Sequence, residues 1–159
     1  MSKLAIIKKV IDQLSAELAL YHKAARAAHA EATHEQSKPE NKYDTRGLEA
    51  SYLARGQSKQ AAEIMQAIEQ FDKLPAKKFS RNDAIDLGAL VELEGKGERS
   101  FYFVGPRAGG TEIRDEKKEI LVITPQSPLG QQIMGKKSGN SLNLEIGGVR
   151  NDYQVISVS

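Results

Sequence analysis

From Leu4 onward the apolar positions fall at Leu4, Ile7, Ile11, Leu14, Leu18, Tyr21, Ala25, Ala28 and Ala32. The gaps alternate three and four without a miss, and no Gly or Pro interrupts the chain before Pro39. That period lines one narrow stripe of a helix and suits packing along its length against a second helix. A helix from about Ser2 to His34 would run roughly 50 Å at 1.5 Å per residue. Counted back from Leu74, a second seam is Phe71, Ile68, Ile64, Ala61, Gln57, Ala54 and Ala50. Both seams carry large residues at the base and alanines toward the tip. Large meets large and small meets small only if the helices run antiparallel, so a helical hairpin (coiled coil) is expected over residues 1–75. Pro75 ends it.

Between the seams lies a polar tip, HEQSKPENKYDTR, from His34 to Arg46. Pro39 lacks a backbone N–H and biases Lys38 away from the helical region. Asp44 or Thr45 is a good N-cap for the returning helix, with Glu49 in its early turns. The tip is polar and holds the acids Glu35, Glu40 and Asp44.

After Pro75 the period changes. AKKFSRNDAIDLG reads as a connector with a few ordered contacts. Short strand-like runs follow: ALVELE (89–94), SFYFVG (100–105), EILVIT (119–124), SLNLEI (141–146) and DYQVISV (152–158), several separated by Gly-rich breaks. EILVIT is apolar enough for a central strand. SPLGQQIMGKKSGN reads as a short helix, with Ser127 as N-cap, Pro128 at the first helical position and Gly135 as the stop. Residues 76–159 are thus expected to form a small, mostly antiparallel sheet with one short helix, and the whole chain an α+β fold.

The remaining composition excludes several classes. The 159 residues carry 23 Lys+Arg against 21 Asp+Glu, so no bulk basic field for nucleic acid is indicated. There is no Cys, which rules out disulfides and thiolate metal sites and fits a reducing, cytoplasmic setting. The N-terminal apolar run is interrupted by Lys8, Lys9 and Asp12 and reads as an amphipathic helix rather than a signal peptide. No stretch approaches the roughly 20 apolar residues of a membrane span. His22 and His29 share a helix face but lie two turns apart, too far for one ion. No phosphate loop, Ser/His/Asp set or HExxH is present.

A long antiparallel coiled coil, then a sheet domain with Ser127, Pro128, Gly135, Lys136, Lys137 and Gly139 in the pattern S-P-x6-G-K-K-x-G, resembles the bacterial Gre transcript-cleavage factors. The closing SLNLEIGGVRNDYQVISV resembles that family's final hairpin, and Glu40-Asn41 followed by Tyr43 its Glu-Asn-x-x-Tyr tip. The resemblance implies an FKBP-like C-terminal domain docked on bacterial RNA polymerase through the loop at Ser127 and Pro128. It also implies a hairpin entering the secondary channel, with Asn41 and Tyr43 as partner contacts and the tip near nascent RNA. Glu40 would share a Mg²⁺ with the polymerase, and the chain would be no enzyme by itself and have no cofactor of its own. A monomer is expected. Where the family has an Asp three residues before the tip Glu, this chain has Ser37, and one residue instead of two separates Asn41 from Tyr43. Weak cleavage, or modulation of the polymerase without cleavage, is therefore expected, unless Glu35 or Asp44 completes the site. An alternative from another class is an FKBP-like peptidyl-prolyl isomerase or chaperone, which needs an apolar, aromatic-lined pocket.

Overall fold

The computed structural model describes residues 2–33 and 46–159, with side chains left out at 28, 31–33 and 46–54. The element order is α1 (Lys3–Thr33), α2 (Arg46–Asp72), β1 (Leu90–Gly95), β2 (Glu98–Val104), β3 (Glu112–Asp115), β4 (Lys118–Ile123), α3 (Pro128–Ile133), β5 (Ser141–Ile146) and β6 (Val149–Val158). The fold is α+β, as the change of period after Pro75 predicts.

The chain forms two compact units, Met1–Gln13 with Glu69–Ser159, and Leu14–Ile68. α1 starts in the first unit and continues into the second, and α2 makes the return passage, so the helices run antiparallel. Within the helical unit the seam is where the period puts it. Leu14 and Ala61 are buried, and Leu18, Tyr21, Ala25, Gln57, Ile64 and Ile68 are partly buried. In the first turns of α1 the pattern differs. Leu4 is 68% exposed, while Ile6, Ile7 and Val10 are buried. Those turns belong to the unit that holds the sheet, and there a helix buries a broader stripe than a two-position seam.

The sheet has six strands in the order β3-β4-β2-β1-β6-β5. Four pairings are antiparallel and one, β2 with β4, is parallel. β3 makes the parallel pair possible: the chain leaves β2, forms β3 at the edge, and turns back as β4. β4 is flanked on both sides, as its apolar run predicts. The register places Tyr102 beside Leu121 and Val104 beside Ile123, with Phe103 beside Val122 in between. Since side chains alternate faces, Tyr102, Val104 and Ile123 join the core that α3 covers through Leu129 and Ile133. Phe103 lies on the other face, where its ring stacks with Phe71 at 6.5 Å between centroids. Gly105 lets Phe71 approach: a Cβ there would sit 2.6 Å from the Phe71 ring.

The connector after Pro75 makes a few ordered contacts, as expected for it. Phe79 and Ile85 are core residues. Ile85 exchanges backbone bonds with the end of α3, its N–H reaching the Lys136 carbonyl at 2.7 Å and its carbonyl accepting from Gly135 N–H at 3.0 Å. Asp83 accepts from the Ser80 N–H at 2.7 Å and closes a tight turn. Two isolated apolar residues among charges carry no periodicity, so the sequence signal for this order is faint.

Candidate partner-docking site

The sheet unit presents one exposed feature that the sequence singled out, the start of α3. Ser127 is its N-cap, with φ −64° and ψ 156°, and Pro128 takes the first helical position. The Ser127 hydroxyl accepts from the Gly130 N–H at 3.1 Å and donates to the Thr124 carbonyl at 2.7 Å. The Ser127 N–H in turn donates to the Thr124 hydroxyl at 3.2 Å. One side chain thus satisfies an orphan helix donor and closes the preceding turn. Pro128 projects as an exposed residue at the apex of this rigid turn.

Two residues that sequence reasoning passed over fix that turn. Gly130 is buried, and a Cβ there would lie 1.8 Å from the Thr124 carbonyl oxygen and 2.9 Å from the Ser127 hydroxyl. No L side chain fits. Gln132 bonds the backbone of Glu145 from both ends of its amide, donating to the carbonyl at 2.9 Å and accepting from the N–H at 2.8 Å. It also donates to the Pro128 carbonyl at 3.0 Å. The helix start is therefore tied to β5. A glycine three residues after a Ser cap was a legible signal for close approach; Gln132 gave none.

Beside Pro128 lies a groove of about 290 Å³, lined mainly by apolar atoms of Tyr102, Leu121, Ile123, Pro128, Leu129 and Ile146. A second cavity of about 580 Å³ has Phe101 and Ile120 in its lining and mixed charges around them, including Arg99, Arg114, Lys118, Glu112 and Glu119. Arg114 pairs with Glu119 at 2.7 Å, and Lys118 sits 5.0 Å from the centre of the Phe101 ring. Charges of both signs do not make the uniform positive field that nucleic acid demands.

The sequence-based tip candidates Glu35, Glu40, Asn41, Tyr43 and Asp44, with Ser37, lie outside the described residues. The structure thus places Ser127 and Pro128 together at one exposed turn. Among the described residues no group of three or more His, Asp or Glu forms a cation site, and no helix is long and apolar enough to cross a membrane.

These features define a two-part α+β protein: an antiparallel helical pair and a six-stranded sheet domain with a rigid, exposed Ser-Pro helix start. Residues 80–159 match the family described as transcription elongation factor, GreA/GreB, C-terminal. The chain belongs to that family of transcription elongation factors. Similar solved structures include GreA factor homolog 1 (Gfh1) of Thermus thermophilus, 21% identical over 94% of each chain with a TM-score of 0.41. Gfh1 of Thermus aquaticus is 22% identical over 95% of this chain and 94% of its own, with a TM-score of 0.39. No curated protein matches the chain.

Proposed function

We propose that this chain regulates transcription elongation by binding bacterial RNA polymerase at its secondary channel. The sheet domain docks through the turn at Ser127 and Pro128, and the helical pair carries the tip carboxylates toward the polymerase active site. Family membership across residues 80–159, which includes that turn, carries this reading. A rigid turn presenting an exposed proline beside an apolar groove is a suitable anchor, because little ordering entropy is lost when it binds.

At the tip, Glu40 is the proposed ligand for a Mg²⁺ shared with the polymerase, with Asn41 and Tyr43 as contacts. Mg²⁺ takes hard oxygen ligands and keeps several waters, so a single carboxylate leaves most of the coordination to polymerase acids and water. Ser37 is a poor third-position substitute for an Asp. The protein therefore stimulates cleavage of backtracked RNA weakly, or modulates the polymerase without cleavage. The isomerase alternative is less well supported, since the groove beside α3 has Tyr102 as its one aromatic lining residue among those described.

The test is transcript cleavage in stalled, backtracked polymerase complexes. The natural chain should cleave weakly or not at all, Ser37→Asp should raise cleavage, and Glu40→Ala should abolish whatever effect the tip exerts while binding persists. Full function in a variant with Glu35, Glu40 and Asp44 all changed to Ala would overturn the role of the tip acids.

A further inference from the structure

The sheet ends in two edge strands that differ in what they expose. β3 is four residues long and carries Glu112, Arg114 and Asp115 around one buried side chain. Short, charged edges resist pairing with another chain. β5 is six residues long, has Leu142, Leu144 and Ile146 along one face, and contains no Lys, Arg or Pro. An edge of that length and character is a template for strand addition.

Register decides which backbone groups of β5 face outward. The Val155 N–H of β6 donates to the Asn140 carbonyl at 2.9 Å. Bonded pairs recur at every second residue of an antiparallel ladder, so Leu142 bonds Tyr153 and Leu144 bonds Asn151. Ser141, Asn143 and Glu145 therefore turn their N–H and C=O groups away from β6, to the open side. At Glu145 both groups are taken. Gln132 of α3 accepts from the Glu145 N–H at 2.8 Å and donates to the Glu145 carbonyl at 2.9 Å. Its side-chain amide makes the pair of bonds that a neighbouring strand would make. The other edge shows part of the same device. β4 bonds β3 through Val122 with Thr111, which by alternation turns Arg114 outward, and the Lys9 amine of α1 donates to the Arg114 carbonyl at 2.6 Å.

We propose that Gln132 seals the β5 edge against a second copy of this chain and so keeps the sheet domain monomeric. The bonds open to a second copy show why one side chain suffices. Two β5 strands meeting antiparallel about Asn143 would set Ser141 opposite Glu145 of the other copy, Asn143 opposite Asn143, and Glu145 opposite Ser141. All three are bonded pairs of outward-facing residues, and Gln132 removes the two that use Glu145. The central pair alone is too little to offset the freedom lost on association. Without the amide all three pairs form, and the apolar face of Leu142 and Leu144 continues into the other copy. Glu145 also lines the groove beside Pro128, so a closed edge keeps other copies away from that groove.

Two measurements on the full chain test this. Amide hydrogen exchange followed by NMR should show the Glu145 N–H of the natural chain exchanging roughly tenfold or more slowly than the outward-facing Asn143 N–H. Sedimentation from about 10 to 300 µM should find the natural chain monomeric throughout and Gln132→Ala increasingly associated as concentration rises. Gln132→Met, which keeps the bulk of the side chain without the amide, should also associate, and it takes the place of the alanine variant if that one does not fold. Adding Asn143→Pro should restore the monomer, because it removes an outward donor and no bond to β6. A folded Gln132 variant that stays monomeric over the whole range would overturn the proposal, as would a natural chain that associates. A Glu145 N–H that exchanges as fast as that of Asn143 in the natural chain would overturn it too. Association that survives Asn143→Pro would place the contact elsewhere and count equally against it.

Discussion

At the scale of single residues, the turn before α3 shows how close contact decides what a position tolerates. Alanine is ordinarily the better helix former than glycine by about 1 kcal/mol. At Gly130 that preference loses to a Cβ lying 1.8 Å from a backbone oxygen. Gly130→Ala should cost about 3 kcal/mol in urea unfolding, because backbone rather than a flexible side chain would have to move. Ser127→Ala should cost about 1 kcal/mol through loss of the cap. Lys3 makes a prediction in pH. Its folded-state value of about 8 lies below the ordinary 10.5, so the unfolded chain binds more protons between those values. Stability therefore rises with pH through that window, and the unfavourable contribution is fully present below about pH 8. Lys3→Met should remove this rise, which paired chemical-denaturation curves at pH 7.5 and 10 would show. A wild-type chain with the same slope as Lys3→Met would contradict the burial of the Lys3 amine that lowers its value.

At the scale of elements, the helices and most strands were legible because their burial is periodic. The seam through Leu14, Leu18, Tyr21 and Ala25 reads directly from spacing, and so do β1, β2, β4, β5 and β6. β3 was not legible: in Glu112–Asp115 only Ile113 is buried, and its flanks are charged. A four-residue edge strand with one buried side chain shows no alternation to detect. The parallel pairing of β2 with β4 follows from that missed strand and so was hidden with it. Leu4 fooled the seam because period alone does not say which partner a turn faces. Of the candidate site, the Ser127 cap and Pro128 were readable from local turn chemistry, whereas Gln132 acts through a contact 13 residues away in sequence. The seam itself can be tested at Ala61, which is buried, against its exposed neighbour Ala62. Ala61→Leu should overpack the helical pair and cost roughly 1–3 kcal/mol, while Ala62→Leu should stay within about 0.5 kcal/mol. Thermal melts followed by helical circular dichroism would separate the two, and equal effects would mean the narrow-seam packing is wrong.

At the scale of the whole molecule, the proposed function divides the work of a GreA/GreB-type elongation factor between the sheet domain and the helical pair. The proposal gives affinity to the turn at Pro128 and action to the tip acids. Nearly balanced charge over the chain agrees with a partner recognised by shape and a few contacts rather than by a broad field. The direct measurement is equilibrium binding of the fluorescently labelled full chain to purified bacterial RNA polymerase at fixed salt, for the natural sequence and for Pro128→Asp. An acid is well tolerated in a first helical turn, so Pro128→Asp should leave the melting temperature nearly unchanged. The account predicts saturable binding by the natural chain and affinity roughly tenfold or more weaker for the variant. Absence of saturable binding by the natural chain, or equal affinity for the two, would contradict it.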